Sequence, residues 1–400
     1  MTSQKSKMLE VRNRGNLTLN RAKSLTKLAD SILGKNHSMI LSDAWLEELL
    51  TWADENDIPE EVFPRDAGKI LELKRLNLWH RKLSYIPDSI GNLTNLMELT
   101  LYRNNLSMLP DSIGNLTNLE YLRLDENKLS ALPDSIGNLS NLTRLILSGS
   151  NLSTLPVSIG NLSSLGALDL RWNNISEWPD SIENLTNLEY LNLGSNNLSV
   201  LSDSIRNLTS LKNLMLSGNR RLSSLDVVWG LTSLEYLGLG CINLSKLPDS
   251  IENLTNLIKL TLHGNNLSML PDSIWSLTNL ESLHLSDNNL SVLPASIGNL
   301  TNLKALSLDG NNLSILPASI GNLTKLETLY LHDNNLSNLP SSIGNLTNLT
   351  ELSLAGNKLL KLPDALGKLE NLECLELSTD QVLPPSLSHL EPIIEWNDPN

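Results

Sequence analysis

Leu96 to Asn118 reads LMELTLYRNNLSMLPDSIGNLTN, and Leu119 to Asn141 reads LEYLRLDENKLSALPDSIGNLSN. Each stretch is 23 residues long, and the two align leucine on leucine. The opening LxxLxLxx alternates apolar and polar positions, as a short strand with one buried face does. An asparagine then ends the strand. Its amide both donates and accepts, so stacked asparagines satisfy the backbone groups freed at the bend. LPxSIGNL returns along the opposite edge, with proline and glycine restricting the turn.

Outward from this pair, the frame holds from Leu73 to Asn371, or 13 units of 23 residues. A fourteenth begins at Leu372 and decays after Asp380. No unit buries its leucines alone. Neighbours stack into one continuous core, and stability becomes a sum of near-neighbour contributions. The composition agrees: leucine and asparagine dominate, aromatics are 4%, and Phe63 is the one phenylalanine.

Thirteen regular copies resemble the leucine-rich repeat family, in its 23-residue intracellular form, and are similar to plant Ras-group-related and bacterial members. The resemblance covers about three quarters of the chain. It implies an α/β solenoid, a curved horseshoe with a parallel sheet on the concave side and a helical N-terminal cap. It also implies a surface that binds proteins or peptides.

The ends read differently. Residues 1–38 carry eight Lys/Arg against Glu10 and Asp30, a net +6 in a chain of net −14. They are expected to form a basic, disordered tail, with a delivery signal as the alternative. Residues 39–72 are expected to form the helical cap, since an open solenoid end exposes core. Within them SDAWLEELLTWADEN, residues 42–56, places Trp45, Leu49 and Trp52 on one helical stripe. Ser42 or Asp43 suits its N-cap, and Asp66 suits that of a second helix. Residues 73–371 hold the repeats, and residues 372–400 a degenerate repeat and C-terminal cap.

Charge and motifs exclude several classes. The acidic body disfavours nucleic acid and anionic membrane as partners. No apolar run reaches the ~18 residues of a membrane span, and the N-terminus lacks the apolar core of a secretory signal. Cys241 and Cys374 fit neither a metal spacing nor a disulfide framework. No phosphate-cradling glycine motif, HExxH or GxSxG occurs. The chain is therefore expected to be a non-enzymatic, monomeric, cytoplasmic scaffold without cofactor or metal. The alternative is a secreted bacterial effector that binds a host signalling protein. The recurring NLT and NLS are read as repeat grammar rather than glycan acceptors.

The positions that the repeat leaves free are the informative ones. Arg75, Trp79, His80, Tyr102, Arg103, Tyr121, Arg123, Arg144, Arg171, Trp172 and Tyr190 fall beside the strand leucines, on the expected concave face. Arginines and aromatics are what binding hot spots favour, and these cluster in six neighbouring units. A protein partner is expected to dock there. Later units place His263, His284, Asp287, Asp309, His332 and Asp333 on the same face, as an exposed polar surface in which Asp309 and His332 share a column.

One unit is irregular. In GNRRLSSLDVVWGLTS, Gly218 to Ser233, one residue is inserted after Asn219 and one is missing before Leu231. The period survives, so the core stays in register. Arg220 and Arg221 are expected on the rim as a secondary docking point, with Trp229 filling the shortened outer arc. Residues 202–243 are expected to change the local curvature.

Overall fold

The computed structural model describes residues 43–397. Residues 1–38, the start of the expected cap including Ser42, and the last three residues lie outside the described residues. The chain divides into two compact units, Met1–Ala167 and Leu168–Asn400.

In the first unit, helix α1 (Asp43–Glu55) buries Leu49 and Trp52, while Trp45 is only half-buried. The Trp52 Nε1–H donates to Tyr85 O at 3.3 Å, and its ring meets Phe63 edge-on at 6.5 Å. Helix α2 (Ala67–Leu71) starts at Asp66, whose Oδ1 accepts from Lys69 N at 3.0 Å. That bond satisfies one of the amides a helix start leaves free.

Four strands follow at the 23-residue spacing: β1 (Arg75–Asn77), β2 (Glu98–Thr100), β3 (Tyr121–Arg123) and β4 (Arg144–Ile146). They pair in parallel with repeat on repeat, so Arg75, Glu98, Tyr121 and Arg144 share one column. Every central leucine is buried. Opposite the strands run 3-10 turns such as Asp111–Asn115, where Ile113 N donates to Pro110 O at 3.0 Å.

Two asparagine ladders hold these turns to their neighbours. The expected one is inside. The Asn104 Oδ1 accepts from Arg81 N and Leu83 N, each at 3.0 Å, and its Nδ2 donates to Leu78 O and Leu101 O, each at 2.8 Å. One amide thus closes four backbone groups at 6% exposure, where an unmade bond is costly. The second ladder ends the NLTN grammar: Asn118 Nδ2 donates to Thr94 O and Asn141 Nδ2 to Thr117 O, both at 2.9 Å. The glycine of SIGN is also accounted for. A Cβ on Gly114 would lie 2.4 Å from Ser135 O and 2.8 Å from Ser135 Cβ, so only glycine lets adjacent turns pack this closely.

Strand β5 (Ala167–Asp169) begins at the last residue of the first unit. The second unit continues with β6 (Tyr190–Asn192), β7 (Asn213–Met215), β8 (Tyr236–Gly238), β9 (Lys259–Thr261) and β10 (Ser282–His284). Then come β11 (Ala305–Ser307), β12 (Thr328–Tyr330), β13 (Glu351–Ser353), β14 (Cys374–Ser378) and β15 (Ile394–Asn397). From β6 to β15 each strand pairs in parallel with the next in sequence order.

The irregular repeat lies inside the second unit. Asn219 keeps its ladder place: Oδ1 accepts from Leu198 N at 3.2 Å, and Nδ2 donates to Leu193 O and Leu216 O at 2.8 Å. The inserted residue turns the chain on itself. Arg220 N donates to Gly218 O at 3.1 Å and Leu222 N to Asn219 O at 3.0 Å. Leu222 N therefore needs no acceptor from the next repeat, and the buried Ile242 stands where that asparagine would be. The insertion and the missing ladder rung are one adjustment. Arg220 and Arg221 are exposed and Trp229 is buried in a turn shortened to Val228–Gly230.

Candidate protein-binding surfaces

The strand face of the first unit gathers eight of the expected residues. Tyr102 is the centre. The Arg123 guanidinium lies 4.2 Å from its ring centroid and that of Arg103 5.0 Å, and its hydroxyl donates to Glu126 Oε1 at 3.2 Å. Cation–π contacts of this kind hold the ring and both guanidiniums in one arrangement. Arg144 lies 6.0 Å from the Tyr121 centroid, and Trp79, 50% exposed, stacks on His80 at 5.7 Å.

Sequence reading missed the carboxylates that hold these arginines. Glu126 Oε2 accepts from Arg103 Nε at 2.7 Å, and Asp125 takes Arg123 in two bonds of 2.7 and 3.2 Å. Arg75 Nε reaches Glu98 Oε1 at 3.0 Å. Among the described residues, Arg144 makes no ion pair. The signal was available: Glu98 shares the Arg75 column, and Glu126 follows Arg103 by one repeat. Bonding to Arg103 holds the Glu126 carboxyl below the usual range, and bonding to Glu126 and Asp125 raises Arg103 and Arg123. Desolvation, then the bond to Glu126, pushes the Tyr102 phenol up.

The backbone adds a second feature. His80, Arg103 and Glu126 have φ of 55°, 56° and 53°, at a repeat position that is glycine in Gly149 (φ 64°). A left-handed backbone costs a non-glycine residue about 1–2 kcal/mol. Large side chains held at such a position direct attention to what they present.

In the second unit, Trp172 occupies the same position (φ 56°) and is 61% exposed, with the Arg171 guanidinium 5.0 Å from its ring. Arg171 Nε lies 3.3 Å from Asp169 Oδ2. Tyr190 sits nearby in sequence and accepts from Asn192 Nδ2 at 3.2 Å.

The polar residues of the later repeats are less open than expected. Asp287 and Asp333 are exposed, but His263, His284, Asp309 and His332 are half-buried. Strands about 4.8 Å apart shade each other's side chains. His284 is bonded at both ring nitrogens, to Ser282 Oγ at 2.8 Å and Ser307 Oγ at 3.1 Å. Asp309 and His332 do meet, at 3.6 Å. Among the described residues no three His, Cys, Asp or Glu converge as a metal site. Both cysteines are free, and burial pushes the Cys374 thiol up. No helix among the described residues is long and apolar enough to cross a membrane.

The model of the leucine-rich repeat region matches residues 59–149, 134–224, 217–310 and 295–392. None of the curated proteins matches the chain. A leucine-rich repeat protein of Leptospira interrogans is similar in structure, at 33% identity and TM-score 0.69 over 83% of this chain and 98% of its own. An internalin of Listeria monocytogenes is 27% identical at TM-score 0.69, over 79% of this chain and 89% of its own. The plant peptide hormone receptor RGFR1, in complex with RGF2, is 31% identical at TM-score 0.62, over 79% of this chain and 57% of its own.

Proposed function

This chain belongs to the leucine-rich repeat family, whose fold is generally a protein–protein interaction scaffold, and on that premise we propose that it is a non-enzymatic scaffold holding a protein partner on its strand face. One observation carries the reading: the Tyr102 ring held between Arg103 and Arg123 beside a half-exposed Trp79, in an otherwise polar face. Aromatic and arginine side chains already ordered in the free protein lose little freedom on docking. Arg75, Tyr121 and Arg144 extend that surface within the first unit. Arg171, Trp172 and Tyr190 form a further contact in the second, with Arg220 and Arg221 as a secondary rim. The helices before β1 close the end of the stack. A similar receptor forming a complex with RGF2 supports a protein- or peptide-binding role.

Replacing Trp79, Tyr102 and Trp172 together with alanine tests this. Proteins captured by the native chain are expected to be lost while the melting temperature holds. Capture unchanged by the triple variant overturns the reading. The alternative is a secreted bacterial effector that binds a host signalling protein; two of the similar structures are repeat proteins of bacteria. Fusing residues 1–38 to a reporter tests it: a bacterium that fails to export the fusion removes it.

A further inference from the structure

Three basic side chains meet on the strand face of the second unit. Lys259, Thr261 and His263 alternate along β9 and its continuation, so all three face the same way. Thr261 pairs directly across to His284 of β10. His284 is therefore diagonal to both Lys259 and His263. Its ring is fixed by Ser282 and Ser307. Lys259 Nζ lies 5.1 Å from the Tyr236 ring centroid, and among the described residues it has no carboxylate partner.

Glycines on the other flank make room. Gly238 is the β8 partner of Thr261 and puts no side chain beside it. The His263 ring lies over Gly240, where a Cβ would come within 2.3 Å of its Cε1. Beneath the cluster is an orphan. The Thr261 hydroxyl is buried, at 9% exposure for the residue, and its Oγ1 has no hydrogen-bond partner. Among the described residues, eight serine hydroxyls of the 3-10 turns also lack a partner, but this one lies on the strand face directly across from His284.

We propose that Lys259, Thr261, His263 and His284 form a binding site for an oxyanion, the carboxylate or phosphate group of an acidic ligand. Lys259 supplies a fixed positive charge and His263 an imidazole N–H donor, Thr261 supplies the hydroxyl, and the His284 ring, its two nitrogens held by Ser282 and Ser307, supplies positive charge when protonated. Asp309, the carboxylate that acts on His284, is engaged elsewhere: it accepts from Ser286 Oγ at 2.7 Å and faces His332. In a chain of net charge −14, a lysine without an ion-pair partner grouped with two imidazoles is a local departure from the acidic background.

Binding is tied to pH. Burial, then Lys259 on β9 and His263 after it, hold the His284 imidazole below its ordinary range, and Asp309 after β11 opposes them. An anion beside the ring favours the protonated form and raises that value. Affinity therefore grows as pH falls through the histidine range. The site is independent of the proposed docking surface, and its test needs no protein partner.

The test uses the full chain labelled with 15N-histidine and follows its imidazole resonances while inorganic phosphate, or separately a glutamate tetrapeptide, is added. At about pH 6 one or both probes are expected to move His263 and His284 saturably, and more weakly at about pH 8. A single saturating probe identifies the ligand as phosphoryl or carboxylate, and saturation by both shows a site for either oxyanion. Lys259→Met is expected to weaken binding about tenfold. The near-isosteric Thr261→Val is expected to weaken it several-fold, with the His332 resonance in place as evidence of fold. No saturable shift with either probe at about pH 6, or native affinity in both variants, overturns the proposal.

Discussion

Single residues in this protein carry unequal loads, and the structure ranks them. Asn265 accepts from Ile242 N at 3.2 Å and Leu244 N at 2.9 Å, and donates to Leu239 O and Leu262 O at 2.8 Å. Asn265→Ala leaves buried backbone groups unpaired and is expected to cost about 2–4 kcal/mol. Hydrogen exchange at the Ile242 and Leu244 amides reads it directly, as lost protection. Two glycines separate packing from backbone strain. Gly114→Ala drives a Cβ to 2.4 Å from Ser135 O, whereas at Gly149 the nearest atom is 3.8 Å away. Denaturant titration should find Gly114→Ala worse by about 1–2 kcal/mol, since Gly149→Ala meets only the left-handed strain.

Tyr330 gives a pH test at the same scale. Its hydroxyl is bonded to Glu351, and that bond, with burial and the Glu351 charge, pushes the phenol up to about 12. The folded state thus holds this proton more tightly than the unfolded chain. The contribution is complete below about 10 and is lost as pH rises from there to about 12. Ultraviolet titration of the six tyrosines should show Tyr330 among the last to ionise, and Glu351→Gln should bring it down. A Tyr330 midpoint that Glu351→Gln leaves in place contradicts the assigned cause.

Among the elements, the turn after Asn219 is the informative case. Ile242 looks like a lost ladder residue that asparagine would restore. The bond from Leu222 N to Asn219 O says otherwise, because the amide to be capped is already taken. Ile242→Asn is expected to destabilise by about 1–3 kcal/mol, as a buried amide with too few partners. A rise in stability would show that the rung is simply missing. Strands, core leucines and the inner ladder were legible because each is a fixed position in the 23-residue unit. The compensation at Asn219 was legible only as a count of residues. Where its backbone bonds go depends on how one extra residue turns, which periodicity does not carry. The second ladder, from Asn118 to Thr94 O, follows directly on the NLT triplet, and its bond appears only when repeats stack.

At the scale of the whole molecule, the repeat supplies the scaffold and the free positions supply the chemistry. Those positions were legible as a set of residue types beside the strand leucines. Their pairing was not, since Arg103 meets Glu126 only when repeats stack side by side. The orphan hydroxyl of Thr261 was not legible either, because a missing partner appears only in three dimensions. On the proposed function, the surface around Tyr102 docks a protein. The most direct measurement is calorimetry of the strongest captured protein against the native chain and Trp79→Ala/Tyr102→Ala. At least about tenfold weaker binding, with an unchanged melting temperature, is the predicted result. Equal affinity for both chains would contradict it.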